Sequence, residues 1–175
     1  MSFKTKPLVI VGSARSDSNT LKLVNEVFAP GEANIMDLQN FFFEGYSYSQ
    51  RYPANDEFNQ LARAVHESQT IVFATPVYWY AMSGIMKTFF DRLTDLTKRH
   101  KAMGKQLAGK HTFLLSVGAS PELPEGFEVP FRNSSIYFDM QYQGMLYRDT
   151  SANKLPKNFE DQVCRFRKKV LKLLH

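Results

Sequence analysis

The chain has 175 residues, 43% of them hydrophobic and 14% aromatic, with a formal net charge of +5. A chain of this length is most simply one domain over residues 1–175, and its 15 Phe and 8 Tyr exclude a disordered, solvating polymer. One cysteine, Cys164, excludes an intrachain disulfide and a cysteine-ligated cluster, and no stretch approaches the roughly 18 uncharged apolar residues of a membrane helix. Met1–Lys6 runs into an apolar strand pattern with no signal-peptide core, so a cytoplasmic protein without membrane insertion is expected. The basic balance leaves nucleic acid, a membrane surface and phosphorylated small molecules open as partners.

In chain order, Pro7–Gly12 is a continuous apolar run ending at a glycine, the pattern of a strand buried on both faces. Ser16, Asp17 and Ser18 then offer helix caps before Leu21, Val24, Val27 and Phe28, which recur at helical spacing. Ala33–Leu38 is a second, shorter strand. An aromatic connection follows, with Phe41, Phe42, Phe43, Tyr46, Tyr48 and Tyr52. Asn55 or Asp56 caps a helix carrying Phe58, Leu61, Ala62 and Val65. Thr70–Thr75 is a third strand, expected to stop at Pro76. A helix from Gly84 carries Ile85, Met86, Phe89, Phe90, Leu93 and Leu96, and His111–Gly118 is a fourth strand. A helix around 131–140, a fifth strand near 143–148 and a last helix from about Lys157 complete the chain.

Five strands alternating with helical patterns predict a parallel sheet covered on both faces, a three-layer α/β/α sandwich. Right-handed crossovers make the flavodoxin-like order 2-1-3-4-5 the natural topology. Ligands of such sheets bind beyond the carboxyl ends of the strands. The chemistry is therefore expected after Gly12, after Thr75 and after Val117.

After the first strand, Gly12–Thr20 supplies hydroxyls, an amide and Arg15 just before a helix. Free N–H groups and a positive dipole end suit a phosphate there. The loop lacks Gly-x-Gly-x-x-Gly and Gly-Lys-Ser/Thr, so it is neither a dinucleotide fingerprint nor an ATPase loop. Asp17 is expected to turn away from a phosphate or cap the helix. After the third strand, Tyr78, Trp79 and Tyr80 offer aromatic walls for a flat ring, or simple packing of a loop. Gly118, Ala119 and Ser120 are small enough to let a backbone approach a ligand. Lys87, Asp91 and Arg92 read as solvated or helix-pairing charges. His66 and His100 fall near helix ends, where a cation complements the dipole, and no histidine has metal-ligand spacing. Cys164 reads as packing beside the last helix's apolar stripe.

The run Gly12-Ser13-x-Arg15-x-x-Ser18-Asn19-Thr20, with Thr75-Pro76-Val77-Tyr78-Trp79, Met82-Ser83-Gly84 and Met86-Lys87-x-Phe89-x-Asp91-Arg92, resembles the flavodoxin-like NAD(P)H-dependent FMN reductase and NAD(P)H:quinone oxidoreductase superfamily. The two motifs cover residues 8–20 and 70–93. The resemblance implies a noncovalent FMN, with its phosphate held by Ser13, Arg15, Ser18, Asn19 and Thr20. It implies that Pro76, Val77, Tyr78 and Trp79 line the ribityl chain and ring, and that Ser116, Gly118, Ala119 and Ser120 complete the ring site. It further implies NADPH or NADH as co-substrate and a small electron acceptor, such as a quinone, an azo or nitro compound, or free flavin. A homodimer is expected, with the 41–52 connection covering the flavin or packing on a second subunit. No side-chain catalyst is required, and none is assigned. Some relatives carry a cysteine-rich cluster segment; this chain does not. Two other readings stand beside this one. A flavodoxin-type electron carrier would share the fold, although such carriers are typically acidic. A basic binding module would use Arg165, Arg167, Lys168, Lys169 and Lys172 of the last helix, which otherwise read as its solvated face, with no nucleic acid bound.

Overall fold

Leu8–Val11 form strand β1, and all four side chains are fully buried. The computed structural model describes residues 5–151 and 156–174. It continues with α1 (Asn19–Val27), β2 (Asn34–Asp37), α2 (Phe58–Glu67), β3 (Thr70–Tyr78), β4 (Ala81–Met82) and α3 (Gly84–Arg92). Then come α4 (Lys101–Lys105), β5 (His111–Gly118), α5 (Val129–Tyr137), β6 (Gln141–Asp149) and α6 (Phe159–Lys172). Residues 1–4, part of the stretch read for a leader, and His175 lie outside the described residues.

The sheet runs β2-β1-β3-β5-β6 with every neighbour parallel, the expected 2-1-3-4-5 order once the two-residue β4 is set apart. β4 folds back antiparallel on the end of β3. Side-chain alternation splits the core into two layers. Leu8, Ile10, Ile71 and Phe73 face Phe58, Leu61, Met86, Phe89 and Phe131 of α2, α3 and α5. Val9, Val11, Val72 and Phe113 face Leu23, Val24, Val163, Phe166 and Val170 of α1 and α6. Among the described residues, no helix is long and apolar enough to cross a membrane.

Pro76 does not end the third strand. β3 runs on to Tyr78, with Pro76 in register with Val117. The Ala74 carbonyl accepts the last bond from the β1 side, from the Gly12 N–H at 2.8 Å. With a period of two, Pro76 presents its donorless nitrogen to that same side, where β1 has already ended. β6 is longer than expected and carries a register shift opposite Thr112 and Leu114. Gly144, at φ +113°, provides the backbone conformation there that a side chain would resist.

Arg92 is not a solvated charge. Among the described residues it is the largest fully buried side chain, held by Asp56 at 2.7 and 3.0 Å, Asp95 at 3.0 Å and the Glu44 carbonyl at 2.9 Å. Its guanidinium lies 3.5 Å from the Tyr52 ring centroid and 4.4 Å from that of Phe58. Burial pushes the Asp56 carboxyl up, but the Arg92 bonds and the N–H groups of Glu44 and Phe58 outweigh it and hold it below the ordinary value. This cluster clamps the aromatic connection onto α2 and α3. Phe41 and Phe43 pack against the core, whereas Phe42 stays half-exposed.

Cys164 is exposed, beside rather than within the buried stripe of Val163, Phe166 and Val170. His66 sits in the last turn of α2, where a cation is favourable, but His100 precedes α4, at the end where it is not. On α6, Arg165, Lys168 and Lys172 face solvent, while Arg167 pairs with Glu32.

Candidate functional site

The carboxyl ends of β1, β3, β5 and β6 surround one cavity of about 340 Å³. Its walls are Ser13, Arg15, Ser18, Asn19, Thr20, Pro76, Val77, Tyr78, Val117, Gly118, Ala119 and Thr150. Among the described residues, no acidic side chain lines it.

The first wall is a loop tied down by its backbone. Gln39 Nε2 donates to the Ser13 carbonyl at 2.8 Å. Ser83 Oγ donates to the Gly12 carbonyl at 2.7 Å. A Cβ on Gly12 would lie 2.8 Å from Met86 Cβ, so glycine is required there by the packing of α3. Ser18 caps α1, its Oγ accepting from the Leu21 N–H at 3.1 Å and its carbonyl from the Lys22 N–H at 3.1 Å. The first-turn N–H groups of Asn19 and Thr20 have no partner inside the helix.

Two hydroxyls in this wall lack partners among the described residues. Ser13 Oγ and Thr20 Oγ1 are buried without a hydrogen bond, and both residues are 1% exposed. An unmet buried hydroxyl costs about 1–3 kcal/mol. Two of them beside a helix N-terminus form a donor set for an anion. Arg15 adds a largely exposed cation, with Nε 3.3 Å from Asp17 Oδ1. Asp17 does not cap α1; it stays off the cavity wall and shares the Arg15 guanidinium.

The second wall is the β3–β4 hairpin. Tyr78 pairs with Ala81, so its turn is Trp79–Tyr80. Both residues have positive φ, +48° and +64°. The side chains project outward, Trp79 94% and Tyr80 74% exposed. At the third wall, Thr150 donates to the Gly118 carbonyl through N–H at 2.7 Å and Oγ1 at 2.9 Å. Tyr147 OH donates to the Ser120 carbonyl at 2.7 Å. Burial pushes the Tyr147 phenol above its ordinary value.

The cavity brings together Ser13, Arg15, Ser18, Asn19, Thr20, Pro76, Val77, Tyr78, Gly118 and Ala119. It leaves three expected residues outside. Ser116 is fully buried and gives its hydroxyl to the Thr75 carbonyl at 2.9 Å. Ser120 is tied through its carbonyl to Tyr147 rather than lining the wall. Trp79 stands in solvent. The Gly118 position also serves another purpose than expected, since a Cβ there would meet Tyr147 OH at 2.6 Å. No residue of the 41–52 connection lines the cavity. Thr150, Tyr147 and Gln39 were missed. The strand-end rule, applied to the last strand as well, would have reached Thr150.

The model of the family described as NADPH-dependent FMN reductase matches residues 5–142. The Bacillus subtilis protein described as "Putative NAD(P)H-dependent FMN-containing oxidoreductase YwqN" is 26% identical over 148 residues, 79% of this chain and 82% of its own. An NADPH-quinone reductase structure from P. pentosaceus superposes with a TM-score of 0.70 at 15% identity, covering 94% of this chain and 97% of its own. The structure of an FMN-dependent NADH-azoreductase from Bacillus anthracis in complex with FMN does so with a TM-score of 0.68 at 8% identity, covering 95% and 99%. At those identities the two structures speak to fold alone. The match over most of the chain decides the family: the chain belongs to the NADPH-dependent FMN reductases, NAD(P)H-dependent oxidoreductases with FMN as cofactor on a flavodoxin-like fold.

Proposed function

We propose that the strand-end cavity holds FMN and that the protein oxidises NADPH or NADH to reduce a small flat acceptor, such as a quinone, an azo or nitro compound, or free flavin. The observation that carries the site assignment is the pair of unpartnered buried hydroxyls, Ser13 Oγ and Thr20 Oγ1, beside the α1 N-terminus. These groups fit a phosphate: hydroxyl and N–H donors, a nearby guanidinium and no acidic lining. Ser18 and Asn19 complete that wall. Pro76, Val77 and Tyr78 offer an apolar and aromatic face for the ring, opposite the narrow Gly118–Ala119 turn. Backbone N–H groups at these rims are the donors for the ring's polar edge.

When bound, FMN supplies the two-electron chemistry, so that NAD(P)H, a proton and the acceptor become NAD(P)+ and the reduced acceptor. The chain's own part is to bind, orient and shield. Ser83 fixes the end of β1 against α3. Thr150 and Tyr147 fix the 118–120 turn.

The test is the absorbance spectrum of purified protein with FMN, followed anaerobically after adding NADH or NADPH. Bleaching faster than that of free FMN is the expected result. Equal rates would refute the reductase assignment. We also read the chain as a homodimer. A second cavity of about 370 Å³, lined by Phe90, Leu93, Thr94, Thr97, Asn133, Ser134, Tyr137 and Phe138, lies beside the exposed Ile136 and Tyr137 of α5. Sedimentation equilibrium at twice the monomer mass is expected.

A further inference from the structure

The 118–120 turn is gripped by the end of β6. Thr150 reaches the Gly118 carbonyl twice, through its N–H at 2.7 Å and its Oγ1 at 2.9 Å. Tyr147 OH reaches the Ser120 carbonyl at 2.7 Å. The register sets this up, with Tyr147 opposite Ser116 and Asp149 opposite Gly118. The phenol can pass because residue 118 has no side chain: a Cβ there would lie 2.6 Å from Tyr147 OH and 3.2 Å from its Cε2.

Fixing a carbonyl also fixes the N–H behind it. The Gly118–Ala119 peptide is trans, so its N–H points opposite to the carbonyl that Thr150 holds. The peptide that Tyr147 holds has no N–H, because Pro121 follows Ser120. Of the two gripped peptides, then, only the first aims a donor, the Ala119 N–H. No backbone carbonyl among the described residues accepts from it. Gly118 and Ala119 line the cavity, whereas Tyr147 stands behind them.

We propose that Tyr147 is a positioning residue: with Thr150 it locks the Ala119 N–H as a fixed donor toward bound FMN, and so sets the reduction potential of the flavin. This rests on the FMN assignment above and extends it from holding the cofactor to tuning its reducing power. Reduction adds electron density to the ring. A donor that is already fixed favours the reduced form over the oxidised one, because nothing has to reorient when the charge arrives. Loosening the turn shrinks that advantage.

The test compares wild type with Tyr147→Phe, which keeps the ring and removes only the hydroxyl. Water can satisfy the exposed Ser120 carbonyl but cannot hold it in one direction. The FMN-free variant is therefore expected to melt with wild type, and to bind oxidised FMN within about twofold of it. Its dissociation constant for reduced FMN, measured anaerobically, is expected to rise about tenfold, the low end for a hydrogen bond to a charged group. The midpoint potential of the bound flavin then falls by about 30 mV, the equivalent of tenfold for a two-electron couple. Thr150→Val keeps the N–H bond to the Gly118 carbonyl, so its shift is expected in the same direction and smaller.

Three outcomes overturn the proposal. One is a Tyr147→Phe potential that stays or rises, including an equal loss of both FMN forms, which would leave the phenol a structural tie only. Another is a Thr150→Val shift as large as that of Tyr147→Phe, which would take the role from Tyr147. The third is a wild-type protein that takes up no FMN, which refutes the cofactor assignment itself and is seen before any variant is made.

Discussion

The Arg92 cluster and the strand-end cavity lie at opposite extremes of polar satisfaction. Around Arg92, two carboxylates, a carbonyl and the rings of Tyr52 and Phe58 surround one buried cation, and the Tyr52 hydroxyl donates to Asp95. Around the cavity, two buried hydroxyls lack partners and two aromatics occupy a turn that disfavours them. The first region spends its polar groups on the fold. The second withholds them, and what is withheld is available to a ligand.

Breaking each region should therefore have opposite consequences. Arg92→Ala is expected to cost about 3–5 kcal/mol of stability, because Asp56 and Asp95 would be left buried without their counter-charge. Urea denaturation reads this, and FMN affinity of the folded fraction should change little. Acid should reproduce part of the loss. The Asp56 carboxyl is held below its ordinary value of 3.8 in the folded state, so it stabilises the fold above that pH. That contribution is lost as the pH falls through the lowered value, where the unfolded chain already binds the proton. A pH series of urea midpoints should show the decline in wild type, and a shallower one in Asp56→Asn.

In the cavity, Thr20→Val or Ser13→Ala should weaken FMN binding by about 1.5–3 kcal/mol, the range for a hydrogen bond to a charged group. The same changes should leave the FMN-free protein as stable or slightly more so, since each removes an unmet donor. Calorimetric titration and thermal melting separate the two effects. Arg15→Ala should weaken FMN by about 1 kcal/mol, less because its guanidinium is exposed and shared with Asp17. The smallest effect belongs to Lys87, whose ammonium meets Asp91 at 2.7 Å on the surface of α3. Lys87→Ala should cost about 0.3–0.5 kcal/mol, and the cost should vanish at high salt.

The strands were legible because a parallel strand covered on both faces must be a continuous apolar run, as in Leu8–Val11 and Ile71–Ala74. Their order then located the cavity. What stayed hidden depended on neighbours distant in sequence. Whether Pro76 ends a strand depends on where β1 stops. Whether Arg92 is wet or dry depends on Asp56 and Tyr52, about forty residues earlier. For Trp79 the residue type suggests a ring wall, and only the hairpin pairing of Tyr78 with Ala81 shows that its side chain stands exposed in the turn. Gly118 lines the cavity as its size suggests, but that its missing side chain also makes room for Tyr147 depends on a residue of β6.

Ser83 has one more consequence. Its hydroxyl donates to the Gly12 carbonyl and accepts from the Met86 N–H, and its own N–H donates to Thr75 Oγ1 at 3.1 Å. One residue thus staples β1, β3 and α3 where the cavity begins. Separating any pair of them would strip several buried groups at once. The floor is therefore expected to open only with global unfolding, and the amide protons of Gly12, Ser83 and Met86 should be among the slowest to exchange with deuterated water. The Trp79–Tyr80 tip, a few residues away and free of such ties, should exchange within the earliest time points.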